Sequence, residues 1–262
     1  MLLCPVRDCQ QSLVREPRRL VCSRGHSFDI ARSGYANLLQ PQDRRSKQPG
    51  DTPQAVAARR RLHDLGVSAP LNEAIGKLAA PTASDVVLDA GCGDGYHLGT
   101  LAALHKFAGQ GVDISIPAID AAAKRYPYCE WVVANADRVL PYEDNSFSLV
   151  LSITARMNPE EFYRVLQPTG RLLIAIPAPD DLIEVRGAGR DRVERTIESF
   201  QAQFSLIHSG RATHRMALRA AAVEDIRHAV YRPLQAEPAA DTTITFSLDL
   251  LLFHPRGAML KA

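Results

Sequence analysis

Apolar and polar positions change rhythm along this chain. Over residues 1–40, short apolar pieces (Leu20-Val21, Phe28-Asp29-Ile30) alternate with turn residues, the pattern of hairpins in a small ribbon. Residues 41–53 are polar and carry proline at Pro41, Pro49 and Pro53, which reads as a linker. Asp51 or Thr52 can cap a helix that opens on Pro53 and runs to about Leu65, where Gly66 stops it. A second helix follows Pro70 through Leu71, Ala74, Ile75 and Leu78. From there strand and helix alternate. Val86–Asp89, Gly109–Ile114, Trp131–Ala134, Ser148–Ile153 and Arg171–Ile176 read as strands. Tyr96–His105, Ile116–Arg125 and Pro159–Val165 read as the helices between them. That alternation predicts an α/β fold with a parallel sheet flanked by helices. Helical stretches near 190–202 and 221–230, with strands around Phe204–His208, Thr213–Leu218 and Thr242–Phe253, complete the sheet.

The turn after the first of these strands carries chemistry. A strand ending at Asp89, then Gly91-Cys92-Gly93-Asp94-Gly95, then a helix, is a cofactor turn. Its glycines let the backbone bend tightly and approach a ligand where a Cβ would collide. Asp113 ends the next strand, 24 residues after Asp89, where a carboxylate can accept both ribose hydroxyls of an adenosine. The spacing is G-x-G-x-G rather than the G-x-G-x-x-G of dinucleotide enzymes. Asp89 before the turn also suits a cationic amino-acid tail better than a pyrophosphate, which calls for donors and a bare helix N-terminus. Both points favour S-adenosylmethionine (SAM), which bears an ammonium and a sulfonium.

The chain has 262 residues, 46% of them hydrophobic, enough for one large domain and a small one. No apolar run is long enough to span a membrane, and no secretion signal opens the sequence, so a cytoplasmic protein is expected. The net charge of +2 conceals an asymmetry: residues 1–70 hold 12 Lys/Arg against 6 Asp/Glu, and the remainder 19 against 23. A basic arm on an acidic body suits a polyanion. Three of the five cysteines fall within the first 22 residues. Cys4-x4-Cys9, twelve intervening residues, then Cys22-x3-His26 supplies three thiolates and an imidazole, a closed tetrahedral set for structural zinc. Four protein ligands leave no open position for catalysis by the metal.

Residues 86–176 resemble class I SAM-dependent methyltransferases. Val86–Tyr96 resembles their first motif, Gly111-Val112-Asp113-Ile114-Ser115 the ribose-binding strand end, and Ala134-Asn135-Ala136-Asp137 the adenine-side loop. The resemblance implies cofactor contacts from Asp89, Ala90, Gly91, Gly93, Asp94, Gly95, Asp113, Ile114, Asn135 and Ala136. It also implies a mostly parallel, Rossmann-like sheet with an antiparallel last strand. Cys22–Leu39, Gly50-Asp51, Ala58-Arg59-Arg60 and Asp64-Leu65-Gly66 together resemble the 23S rRNA guanine-N1-methyltransferase family, RlmA- or TlrB-like. That family implies methyl transfer to N1 of one guanine in an rRNA hairpin loop, for housekeeping or macrolide resistance. It implies a zinc module that contacts RNA, and a homodimer. The chain divides on this reading into a zinc-binding RNA-recognition domain (1–40), a linker with N-terminal helices (41–80) and a methyltransferase domain (81–262).

Three positions depart from the family pattern. Ser68, near the SAM, stands where an aromatic residue is frequent, Asp181 where a histidine is, and Arg156 where a proline is common. Arg156 is the candidate to stabilise charge developing on guanine O6. No N/D-P-P-Y/F motif follows Ser148–Ile153, which argues against methylation of an exocyclic amine. Arg24, Arg32, Arg44, Arg45, Lys47, Arg59, Arg60 and Arg61 are candidate phosphate contacts, and Tyr35 a candidate platform for a splayed base. The alternative reading is a small-molecule SAM-dependent methyltransferase that carries a structural zinc knuckle.

Overall fold

A computed structural model describes residues 1–43, 49–230 and 240–257. The N-terminal hairpins are β1 (Leu13–Glu16), β2 (Arg19–Cys22) and β3 (Ser27–Asp29), followed by the two-residue β4 (Ala36–Asn37). Helices α1 (Pro53–Asp64) and α2 (Ala69–Ala79) come next, then β5 (Val86–Ala90), α3 (Tyr96–His105), β6 (Ala108–Asp113), α4 (Ile116–Arg125) and β7 (Glu130–Val133). The second half runs β8 (Phe147–Ile153), α5 (Pro159–Val165), β9 (Leu166–Pro177), α6 (Ile183–Arg186), α7 (Val193–Phe200), β10 (Phe204–Leu218), α8 (Ala220–Ala229) and β11 (Thr242–Pro255).

Local chemistry sets the helix starts. Thr52 caps α1, its hydroxyl accepting from the Ala55 N–H at 3.2 Å. Ser115 caps α4 and Asn158 caps α5 in the same way. Each of the three helices has proline in its first turn, where a missing N–H costs nothing. Strand β5 is buried at four of its five positions, as expected at the centre of a sheet covered on both faces.

The described residues form two sheets. β1, β2 and β3 make a small antiparallel one. The large one has the order β10-β11-β9-β8-β5-β6-β7-β4. Strands β9 through β4 in that order run parallel, and β11 is antiparallel to both its neighbours. This is the class I methyltransferase sheet, with its antiparallel last strand. The sequence split β10 into two pieces around Ser209-Gly210-Arg211. The chain instead continues through them with a bulge between Leu206 and His208, because the unbroken β11 pairs along the whole length. No helix among the described residues is long and apolar enough to cross a membrane.

Strand β4 was not legible in the sequence. Its two residues pair in parallel with β7, Ala36 opposite Val132, so a piece of the N-terminal segment forms the outer edge of the large sheet. A second attachment lies nearby. Leu2 bridges Tyr142, the Leu3 N–H donates to the Pro141 carbonyl at 2.9 Å, and the Glu143 N–H donates to Met1 at 3.1 Å. Leu13, Leu20, Ala36 and Leu38 share one buried cluster with Val132, Leu140 and Tyr142. Backbone pairing and apolar burial therefore seat the ribbon beside the loop that follows β7.

Candidate cofactor site and metal centre

The carboxyl ends of β5, β6 and β7 lie side by side, Ala90 opposite Val112 and Asp113 opposite Val133. This register brings Asp89, Ala90 and the glycine turn, Asp113 and Ile114, and Asn135 and Ala136 to one edge of the sheet. At Gly91 the backbone has φ +85°, and a Cβ there would stand 2.4 Å from that of Ala155, in the loop after β8. A side chain at this position would both strain the turn and fill the cradle.

Asp113 fixes the turn's shape. One of its oxygens accepts the Gly93 N–H at 2.9 Å and the other the Ser115 N–H at 2.8 Å. Burial pushes its carboxyl up, while those two bonds oppose the shift. Asp89 has one buried carboxylate oxygen with no hydrogen-bond partner. Burial, then the charge of Asp113, pushes its carboxyl up to about 8. A buried carboxylate in this condition is relieved by a cation or a strong donor. An ammonium-bearing ligand with an adenosyl group meets both demands, so these residues fit SAM. Asn135 is buried, and its side-chain oxygen accepts the Asp137 N–H at 3.1 Å.

Sequence reasoning missed a group that α1 and α2 carry to this edge. His63 stacks on Tyr96 with ring centroids 4.0 Å apart and sets Nε2 3.5 Å from Asp94. Its Nδ1 lies 2.8 Å from the Ser68 hydroxyl, so His63 links Ser68 to Asp94 of the turn. Burial opposes ionisation of Asp94, but the bond from His63 and the charges of His63 and Arg59 hold its carboxyl below the ordinary value. His97, bonded to Asn72 at 2.8 Å, is pushed down to about 3 by burial and by the neighbouring charge of His63.

The arginines of the basic run divide. Arg59 turns inward onto Asp51 at 2.6 Å, and Arg61 makes two bonds to Asp225 of α8, at 2.8 and 2.5 Å. Helix periodicity points Arg59 into the protein with Val56 and Leu62, whereas Arg61, 57% exposed, ties α1 to α8. Arg44, Arg45 and Lys47 lie outside the described residues. Arg24 and Arg32 are exposed on the ribbon, as are Arg7, Arg15 and Arg18, while Tyr35 is half-buried against the main core. Asp181 is buried, accepts the Ser247 N–H at 3.0 Å and pairs with Arg186. Burial pushes it up to about 6 against the pull of those partners.

Arg156 stands 3.3 Å from Asp137 and is 70% exposed. Together with Ala155, Met157, Pro159 and Ser199 the pair lines an open depression of about 580 Å³ next to the glycine turn.

The ribbon gathers Cys4, Cys9, Cys22 and His26, with all four ligand atoms within 4.8 Å of one another. The Cys9 and Cys22 sulfurs are 3.8 Å apart, and His26 Nδ1 lies 3.4 Å from both Cys4 and Cys22. Tetrahedral zinc with bonds of ~2.3 Å to sulfur and ~2.0 Å to nitrogen has edges of about 3.8 and 3.5 Å. The donor set fits zinc in both type and spacing.

Fold and site together define a class I SAM-dependent methyltransferase with an N-terminal zinc ribbon. Residues 87–173 match the family model described as a methyltransferase domain, and residues 2–47 that described as RlmA, N-terminal. The 23S rRNA (guanine(748)-N(1))-methyltransferase of Streptomyces fradiae is 39% identical over 189 residues, covering 70% of this chain and 66% of its own length. A Micromonospora griseorubida protein provisionally named 23S rRNA (guanine-N1)-methyltransferase is 35% identical over 83% of this chain and 81% of its own. The chain belongs to the 23S rRNA (guanine-N1)-methyltransferase family. Among solved structures, a provisionally assigned methyltransferase from Bacillus halodurans has the same fold, at TM-score 0.51 and 17% identity over 70% of this chain and 97% of its own. A chain of a complex with a Haloferax volcanii methyltransferase activator reaches TM-score 0.54 at 21% identity, over 78% of this chain and 98% of its own.

Proposed function

We propose that this protein transfers the methyl group of SAM to N1 of a guanine in a hairpin loop of 23S rRNA. The observation that carries the reading is the joining of two devices. A zinc ribbon with exposed Arg7, Arg15, Arg18, Arg24 and Arg32 is paired, through β4, to the strand whose end forms the cofactor edge. Residues 1–40 are the RNA-recognising unit, 41–80 hold the helices over the cofactor turn, and 81–262 carry the methyl donor. The open depression beside the turn, lined by Asp137, Arg156 and Ser199 as well as apolar groups, suits a splayed base better than a closed apolar pocket would. The same reading has the protein acting as a homodimer in the cytoplasm.

Bound SAM supplies an electrophilic methyl, so the protein's task is alignment and charge control. The cofactor contacts come from Asp89, Ala90, Gly91, Gly93, Asp94, Gly95, Asp113, Ile114, Asn135 and Ala136, with Ser68 acting through His63. Guanine N1 must give up its proton, here to water; as it does so negative charge gathers on O6, to be cancelled when N1 takes the methyl. Arg156, at the mouth of the depression, is placed to meet that charge once it turns from Asp137, a rearrangement an exposed ion pair allows at small cost.

The test is incubation of unmethylated 23S rRNA with labelled SAM, followed by mapping of the modified nucleotide. The reading requires label on N1 of a loop guanine. Label on another base, on an exocyclic amine, or only on a small molecule offered in competition refutes it.

A further inference from the structure

Arg59 occupies an unusual place. Helix α1 carries it over the tip of the glycine turn, where its Nη1 lies 3.3 Å from the point at which a Cβ on Gly93 would stand. Its side chain is 25% exposed. The guanidinium has five N–H donors. Among the described residues two are engaged, one by Asp51 at 2.6 Å and one by the Ala229 carbonyl at 3.0 Å.

The surroundings are acidic. Asp51, Asp94 and Asp113 all act on Arg59 electrostatically, and Asp113 in turn acts on Asp89. Such a cradle welcomes the ammonium and sulfonium of the methyl donor, but it repels the donor's α-carboxylate. A planar fork with unused N–H groups, held at the turn and partly desolvated, is the group that accepts a carboxylate there.

Resting on the SAM reading of this site, we infer that Arg59 is a cofactor-binding residue that receives the α-carboxylate of SAM. It is removed thereby from the RNA-phosphate contacts, although it sits within a run of three arginines. The chain reads the amino-acid tail by its two opposite charges, with carboxylates for the nitrogen and Arg59 for the oxygens.

The experiment titrates the full-length protein, wild type and Arg59→Gln, with SAM, decarboxylated SAM and 5′-methylthioadenosine in a calorimeter. Wild type is expected to bind decarboxylated SAM roughly 10- to 100-fold more weakly than SAM, the worth of a charge-assisted bond. Arg59→Gln is expected to lose a similar factor for SAM and to change less than about threefold for the two ligands that lack the carboxylate. Equal binding of SAM and decarboxylated SAM by wild type overturns the inference, as does equal weakening of all three ligands in the variant, which would make Arg59 a prop for the turn. Should Arg59→Gln fail to fold, the wild-type comparison decides alone. Failure of wild type to bind any of the three overturns the cofactor reading itself.

Discussion

Replacing Gly91 by alanine tests the cradle directly. The new Cβ would stand 2.4 Å from that of Ala155 and 3.7 Å from its Cα. The residue would also sit at φ +85°, which costs an L-amino acid about 1–2 kcal/mol. Forcing a methyl into a packed contact adds about 1–3 kcal/mol. Gly66 provides the control, since its φ is +82° and nothing lies within 4 Å of its missing Cβ. Gly66→Ala therefore carries the backbone cost alone, about 1–2 kcal/mol. Urea unfolding of both variants isolates the contact as their difference, about 1–3 kcal/mol. Removing the opposing methyl, in Gly91→Ala with Ala155→Gly, leaves only the ordinary 3.7 Å contact and should recover most of that difference as coupling energy. Calorimetric titration should show SAM affinity reduced about tenfold or more in Gly91→Ala, unchanged in Gly66→Ala, and partly restored in the double variant. If Gly91→Ala is no less stable than Gly66→Ala, or if Ala155→Gly rescues nothing, the two loops do not meet as described and the cradle is wrong.

Asp89→Asn should flatten the pH dependence of stability in the ligand-free protein. The folded carboxyl is pushed up to about 8, so the stability tied to its protonation is complete below about pH 4 and is lost as pH rises towards 8. Melting curves of wild type and variant should diverge over that window, and parallel curves would refute the burial argument. Asp113→Ala leaves the Gly93 and Ser115 N–H groups without their acceptor and should raise the SAM dissociation constant about tenfold. An unchanged constant means the ribose assignment is mistaken. Metal analysis should find one zinc per chain in wild type and none in Cys22→Ser. Hydrogen exchange should show the ribbon of Cys22→Ser opened while SAM binding is largely retained, and wild-type protein free of zinc would end that claim.

What the sequence revealed and what it hid follow from how local each signal is. The glycine turn, its flanking Asp89 and Asp113, and the Cys4-Cys9-Cys22-His26 set each fall at a recognisable spacing within one limited span of the chain, and the fold brings each together. The caps at Thr52, Ser115 and Asn158 are legible for the same reason. His63, His97 and Asn72 lie on three different helices or turns of helix and meet only through packing against the glycine turn, so no spacing announced them. The inward turn of Arg59 onto Asp51 was hidden because three consecutive arginines look like one charged patch. A helix distributes them around its axis, and the recurrence of Val56, Arg59 and Leu62 every third position was the available sign that one points inward. Strand β4 has only two residues, too few to show a period.

The two-residue pairing of β4 with β7 carries a consequence for the protein under metal starvation. Loss of the ion would loosen β4, the edge strand that covers Glu130–Val133, and leave the N–H and C=O groups on that side of β7 without partners. An open strand of sequence Glu130-Trp131-Val132-Val133 invites stacking of one molecule on another. Chelation should therefore announce itself as turbidity and precipitation before the affinity for the methyl donor falls.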